Sequence, residues 1–192
     1  MQLQIRTRAM KLKVNEVFYS LQGEGARAGC PSIFVRLTGC DLACAFCDTE
    51  FESGQEMTVD ELVAKIDEAI EANGAQREDK MWIVWTGGEP TLQLTSEHVA
   101  KFKQLGFMQA IETNGNHPVP EGLDWVACSP KVAEHVVVRN HPNGVDELRY
   151  VRHAGQPACP APLVKAKRYF ISPRFDGDRR NQANLNHCNH LS

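Results

Sequence analysis

Apolar and polar positions along this chain follow two periods, and each stretch can be assigned by the one it keeps. Residues 14–18 (Val-Asn-Glu-Val-Phe) alternate weakly and predict a first strand; residues 32–37 (Ser-Ile-Phe-Val-Arg-Leu) are an apolar run interrupted by Arg36, the pattern of a buried strand. Over residues 58–73 the spacing changes to that of a helix, with Val59, Leu62, Val63, Ile66, Ala69 and Ile70 on one face. Thr58 and Glu61 have capping-box spacing at its start, and Gly74 ends it. Further strands are predicted at residues 81–85, 108–111, 123–127, 147–151 and 167–171, and a second helix at 96–105 with Val99, Phe102 and Leu105 inward. Strands that alternate with helices build a parallel α/β sheet. Polar, glycine-rich segments follow the strands directly, at the edge where such sheets bind ligands.

Composition narrows this. With 192 residues, 42% hydrophobic and 23% charged, the chain is long enough for one compact domain with a real core. A formal net charge of -3 offers neither a nucleic-acid footprint nor a basic membrane patch. No apolar run reaches transmembrane length, and no signal-peptide core is present. Met10 is as plausible a start as Met1, so residues 1–13 are expected to be an N-terminal extension, residues 14–176 the core domain, and residues 177–192 a divergent or truncated tail. Of seven cysteines, three share one loop, while Cys30, Cys128, Cys159 and Cys188 are scattered. This is no disulfide scaffold, and a reducing, cytoplasmic location is expected. Cys128 follows an apolar strand and is expected to pack in the core.

Cys40, Cys44 and Cys47, spaced C-x3-C-x2-C, carry the chemistry. Three thiolates can hold three irons of a cubane whose full set is ordinarily four. The open metal position left over is where an exogenous ligand binds and reacts. A structural zinc site is the alternative, but no fourth ligand stands nearby in sequence. About forty residues on, Thr86-Gly-Gly-Glu-Pro90 ends a strand. Its glycines allow close backbone approach, and Glu89 can accept from an ammonium; an ordinary strand-to-helix turn is the plainer reading.

The triplet, with Phe46 before its last cysteine, resembles the radical S-adenosylmethionine (SAM) superfamily. The resemblance implies that Cys40, Cys44 and Cys47 ligate a [4Fe-4S] cluster whose fourth iron chelates SAM. The reduced cluster then cleaves SAM to a 5′-deoxyadenosyl radical. Residues 86–90 are similar to the motif that holds the methionine amino group. Tyr19-Ser-Leu-Gln-Gly-Glu-Gly25, Arg36, Cys47-Asp-Thr49, Glu112-Thr-Asn-Gly115 and Ser129-Pro-Lys131 further resemble the 7-carboxy-7-deazaguanine synthases, over residues 14 to 176.

By that resemblance Leu21, Gln22, Gly23, Arg36 and Thr86 bind substrate, and Glu24 meets its guanidine-like edge. Thr49 ligates Mg2+. Phe46, Cys47, Asp48, Gly88, Glu89, Ser129, Pro130, Lys131 and, in a looser match, Ser172 contact the cofactor. Glu112 is a candidate polar active-site residue. The implied fold is an α/β, incomplete (β/α) barrel of about six parallel strands. The implied reaction contracts 6-carboxy-5,6,7,8-tetrahydropterin to 7-carboxy-7-deazaguanine with loss of ammonia, fed by a flavodoxin or ferredoxin, in a homodimer. The tail departs from the family pattern: Asp176-Gly177 leads into Asn- and His-rich sequence instead of a QTHK-like end. His187, Cys188 and His190 are a weak candidate for a small metal site there, and a divergent tail is the preferred reading. Two other readings are a glycyl-radical-enzyme activating protein, which the LQGEG and Cys-Asp-Thr segments oppose, and a non-catalytic iron-sulfur or zinc redox module, in which residues 86–90 have no task.

Overall fold

The computed structural model describes residues 10–45, 47, 49–156, 161–175 and 181–191. Eight strands, β1 (Lys11–Leu21), β2 (Pro31–Leu37), β3 (Gln55–Thr58), β4 (Trp82–Gly87), β5 (Met108–Thr113), β6 (Trp125–Cys128), β7 (Val145–Arg152) and β8 (Ala166–Pro173), form one sheet in the order β3-β1-β2-β4-β5-β6-β7-β8. Four helices, α1 (Val59–Glu71), α2 (Ser96–Gln104), α3 (Glu134–Asn140) and α4 (Gln182–Leu191), complete it. From β2 onward through β4 to β8 every neighbouring pair is parallel, giving the six parallel strands of an incomplete (β/α) barrel.

Three features differ from expectation. β1 begins at Lys11, three residues ahead of the expected strand, with Leu12 and Val14 buried, and it runs antiparallel to β2. It is therefore a hairpin partner and not the first β/α unit. β3, α3 and α4 have no counterpart in the pattern. β3 is four residues paired antiparallel with β1, α3 buries only Val137, and α4 buries only Asn184 and Cys188. None offers enough periodic apolar surface to announce itself.

Strand alternation sorts the core into two faces. On the helix side Ile33, Val35 and Leu37 of β2, Ile83 and Trp85 of β4 and Ile111 of β5 pack with Leu62, Ile66 and Ile70 of α1 and Val99 and Phe102 of α2. The capping box of α1 is present, with Glu61 Oε2 accepting from Thr58 N–H at 2.7 Å. Trp85 stands edge-on to Phe102 at 5.0 Å, and its indole donates to Gln109 Oε1 at 3.1 Å, so this buried layer leaves no polar atom of the pair stranded. A second cluster joins Cys128, Leu148 and Val145 to Val137. On the opposite face Phe34, Val84 and Ala110 make an apolar floor with Phe18, Trp82 and Trp125. Two residues further along the same strands, period two brings Arg36, Thr86 and Glu112 to that face at the C-terminal ends, with Arg36 in register with Thr86. The site is built there.

Candidate active site

The cysteine loop leaves β2 through Gly39 and is stitched to the end of β4. Gly88 N–H donates to Leu37 O at 3.0 Å and Glu89 N–H to Gly39 O at 2.8 Å. A Cβ on Gly88 would lie 1.9 Å from Gly39 O, and Gly87 takes φ +106° with its Cα against the Leu37 backbone. Both glycines are thus required for this close approach of two backbones. Cys40 and Cys44 are half-buried, Cys47 is exposed, and a Cys47 N–H to Cys44 O bond of 3.0 Å closes the turn. Burial pushes the Cys40 thiol up. Asp41 pins the loop to the turn after β5, accepting from Asn114 Nδ2 at 3.3 Å and Asn116 Nδ2 at 2.6 Å and contacting His117 Nε2 at 2.8 Å. No disulfide joins the six described cysteines; Cys159 lies outside the described residues. Among the described residues no three His, Cys, Asp or Glu side chains converge as a preformed metal site. The donor set itself, three thiols within one eight-residue loop, suits the soft ligation of an iron-sulfur cluster.

Glu89 is fully buried and its carboxylate is spoken for. Thr113 Oγ1 donates to it at 2.9 Å, Thr91 Oγ1 at 2.7 Å, Thr91 N–H at 3.1 Å and Asn114 N–H at 2.7 Å. The side chain expected to meet an incoming ammonium fastens the end of β4 to the end of β5.

A cavity of about 350 Å3 opens beside the cysteine loop, walled by Cys44, Pro130, Lys131, Val132, Val151, Arg152, His153, Gln156 and Arg174. Of the expected cofactor residues, Pro130 and Lys131 line it, and Ser129 holds the Lys131 ammonium through its carbonyl at 3.1 Å and its hydroxyl at 2.7 Å. Ser172 is the β8 partner of Val151, one strand behind the wall. Arg152, His153 and Gln156 were not singled out from the sequence, and Arg174 entered only within the loosely matched segment of residues 172–175. Their signal is position: Arg152 ends β7 and Arg174 follows β8, so both fall on the ligand-bearing edge.

The LQGEG loop closes over a second polar group. Gln22 is buried, and its Nε2 donates to Glu112 Oε1 at 3.0 Å while its Oε1 accepts from Glu24 N–H at 3.1 Å. Thr86 Oγ1 donates to Glu112 Oε2 at 3.0 Å. Arg149 of β7 reaches Glu112 at 3.0 Å, Glu24 at 3.3 Å and, through Nε, the carboxylate of Glu147. Glu147 in turn accepts from Ala26 N–H at 2.9 Å. Burial works against the charge on Arg149, but Glu112 and Glu147 more than offset it and raise its pKa. Gly25 sits at φ +71° where a Cβ would fall 1.7 Å from Glu147 Oε1, so only glycine fits there. Arg27, its pKa lowered by burial, stacks 3.7 Å over Trp82 and donates to Ser32 Oγ at 3.1 Å.

The other expected residues are more open. Arg36 lies 3.5 Å from Glu16 and 5.2 Å over the Phe18 ring. Leu21 is exposed at the end of β1, and Gly23 has open space about it. Thr49 turns its carbonyl toward Cys47 Sγ at 3.7 Å. Phe46 and Asp48 lie outside the described residues. Arg149 and Glu147 were missed in the sequence; the available signal was two opposite charges, two residues apart, inside an apolar strand. Cys128 is core, as expected, its thiol pushed up to about 12 by burial. In α4 Cys188 turns inward while His190 is exposed and bonds Asn186 O at 2.6 Å. His187, Cys188 and His190 therefore do not gather into a metal site.

These features have counterparts among known proteins. Residues 34–134 match the Radical SAM superfamily. The 7-carboxy-7-deazaguanine synthase of Bacteroides thetaiotaomicron is 38% identical over 164 residues, 85% of this chain and 82% of the relative. That of Bordetella pertussis is 41% identical over 187 residues, 89% of this chain and 86% of the relative. The crystal structure of QueE from Escherichia coli shares the fold, with a TM-score of 0.66 at 22% identity over 94% of this chain and 89% of that one. With a three-thiol loop, a basic cavity at its wall and a sheet-edge carboxylate group beneath LQGEG, the chain belongs to the 7-carboxy-7-deazaguanine synthase family of the radical SAM superfamily.

Proposed function

We propose that the protein converts 6-carboxy-5,6,7,8-tetrahydropterin to 7-carboxy-7-deazaguanine with release of ammonia, in queuosine or related deazapurine biosynthesis. The observation that carries this is one sheet edge bearing both a three-thiol loop open to a basic cavity and a carboxylate group capped by LQGEG. Bound together, the [4Fe-4S] cluster and SAM would supply the hydrogen-atom abstraction chemistry. Cys40, Cys44 and Cys47 would hold three irons. The cations Lys131, Arg152 and Arg174 give the cavity the charge that a methionine carboxylate seeks, and Pro130 lines it, with Phe46, Asp48, Gly88 and Ser172 assigned to the cofactor by family resemblance alone. Glu89 serves the cofactor through the turn it fixes.

On the substrate side, Arg36 is the cation for the pterin carboxylate, and Thr86, Gln22 and the backbone of Leu21 and Gly23 contact the ring. Glu24 and Glu112 face its nitrogen-rich edge. These groups position the ring and exclude water while it rearranges. Mg2+, held through Thr49 and substrate oxygens, fits a hard cation with few protein ligands. A flavodoxin or ferredoxin as reductant, a homodimer and a cytoplasmic location complete the reading. No described helix is long and apolar enough to cross a membrane. We assign catalysis to a core that reaches back from the expected residues 14–176 to Lys11, where β1 begins, with an extension before it and a divergent tail of 177–192 after it.

Anaerobic reconstitution, reduction and addition of SAM, Mg2+ and 6-carboxytetrahydropterin test the proposal. Mass spectrometry is expected to find 7-carboxy-7-deazaguanine. 5′-Deoxyadenosine without it, from a protein with a verified four-iron cluster, would overturn the substrate assignment.

A further inference from the structure

Arg149 is a heavily engaged cation of the sheet. It meets three carboxylates from three parts of the chain: Glu24 of the LQGEG loop, Glu112 of β5 and Glu147 of its own strand. The four side chains differ sharply in exposure, with Arg149 at 8%, Glu147 at 0%, Glu112 at 28% and Glu24 at 59%. Arg149 and Glu147 therefore form a buried base, and only Glu112 and Glu24 look outward.

A count of acceptor sites shows what they offer. Glu147 gives one oxygen to Arg149 and the other to Ala26 N–H, which fixes the loop. Glu112 Oε1 takes both Gln22 Nε2 and Arg149 Nη1, while Oε2, among the described residues, takes only Thr86 Oγ1. Glu24 accepts from Arg149 through Oε2, and its Oε1 has no partner among the described residues. Each outward carboxylate thus retains acceptor capacity on the side away from Arg149. Three carboxylates face two guanidiniums, those of Arg149 and the nearby Arg27, so the group keeps an excess of negative charge. Such a surface selects an edge of adjacent N–H donors and rejects one that presents an oxygen. The planar guanidinium fork fixes the directions in which the three carboxylates are held, whereas an ammonium is a compact charge with freely rotating donors.

We propose that Arg149 is a positioning residue that determines specificity, aligning Glu112 and Glu24 to accept from the 2-amino, guanidine-like edge of the pterin. This rests on the pterin reading above. Arg149 itself touches no substrate.

The test measures binding without turnover. Cluster-loaded protein with SAM and no reductant is titrated calorimetrically with 6-carboxytetrahydropterin and with its 2-oxo counterpart. Wild type is expected to favour the 2-amino compound at least about 100-fold. Arg149→Met is expected to reduce that preference to about threefold, with the SAM-induced change in the cluster's EPR spectrum, recorded on a separate chemically reduced sample frozen without pterin, retained. Arg149→Lys is expected to recover part of it, and in turnover to raise KM about tenfold with kcat within about threefold. Glu24→Gln, on an exposed loop residue, supplies a variant that folds whatever becomes of Arg149, and is expected to lose about tenfold of the preference. Undiminished discrimination in Arg149→Met or Glu24→Gln overturns the proposal. So does parallel loss of both ligands together with the SAM response, which marks a merely structural role. Wild-type protein that shows the SAM response but binds neither compound overturns the pterin reading and this proposal with it.

Discussion

Glu89 illustrates how a residue can be legible in the sequence while its task is not. The motif around it identifies the end of β4, but the carboxylate is buried under four donors from Thr91, Thr113 and Asn114. Glu89→Gln would turn an amide N–H2 toward one of these donors, and a buried mismatch of this kind costs about 1–3 kcal/mol. Urea unfolding is expected to show that loss in its midpoint with an unchanged slope, and an unchanged midpoint would contradict the bonding described. The cysteines could be picked out from their spacing, and Gln22, Arg36 and Thr86 from the resemblance of their segments to a known family, since loop motifs and strand ends are where function concentrates. Arg149 and Glu147 could not, because a charged pair inside a strand looks the same whether its face is wet or buried. Only the LQGEG loop folding back onto β7 decides between them, and that contact spans more than 120 residues (|i−j| = 121 for Ala26 and Glu147).

Among the elements, α1 and the parallel strands follow directly from periodicity, because each buries one continuous apolar face. α3 and α4 do not, since tertiary bonds substitute for a stripe. α2 adds a pH-sensitive cap. Thr95 Oγ1 accepts from His98 N–H at 3.4 Å, and His98 Nδ1 lies 2.8 Å from Thr95 Oγ1 and accepts from Thr95 N–H at 3.3 Å, doing the work usually given to Glu. Burial lowers the His98 pKa below the usual value of about 6.5. The unfolded chain therefore takes up this proton first, so the stabilisation is complete above about pH 6.5 and falls as pH drops toward the folded-state pKa. Protonation also removes the acceptor from the cap. His98→Gln keeps an acceptor without the titration, and its stability is expected to fall less than wild type between about pH 7 and pH 5. Parallel pH profiles for the two proteins, followed by thermal unfolding, would contradict this assignment.

Across the whole molecule, one end of the barrel gathers contacts from distant stretches: Asp41 from the turn after β5, Gly39 from the end of β4, Glu147 from the LQGEG loop. The tail belongs to this set. Asn184 Oδ1 accepts from Ala154 N–H at 2.8 Å, and its Nδ2 donates to Arg174 O at 2.7 Å. It joins the segments after β7 and β8 that wall the basic cavity with His153, Gln156 and Arg174. Asn184→Ala is expected to cost about 1–3 kcal/mol and to weaken SAM binding several-fold while leaving the iron content unchanged. Equal SAM affinity in titrations of cluster-loaded protein would detach the tail from the cavity. Divergence in the tail is then constrained on one side only. Positions 184 and 188, one helical turn apart, face inward, whereas 183, 186, 189 and 190 are exposed. Whatever its sequence, this segment must present an amide and a small apolar group at that spacing, and mutational tolerance along residues 182–191 should rise and fall with the turn of the helix.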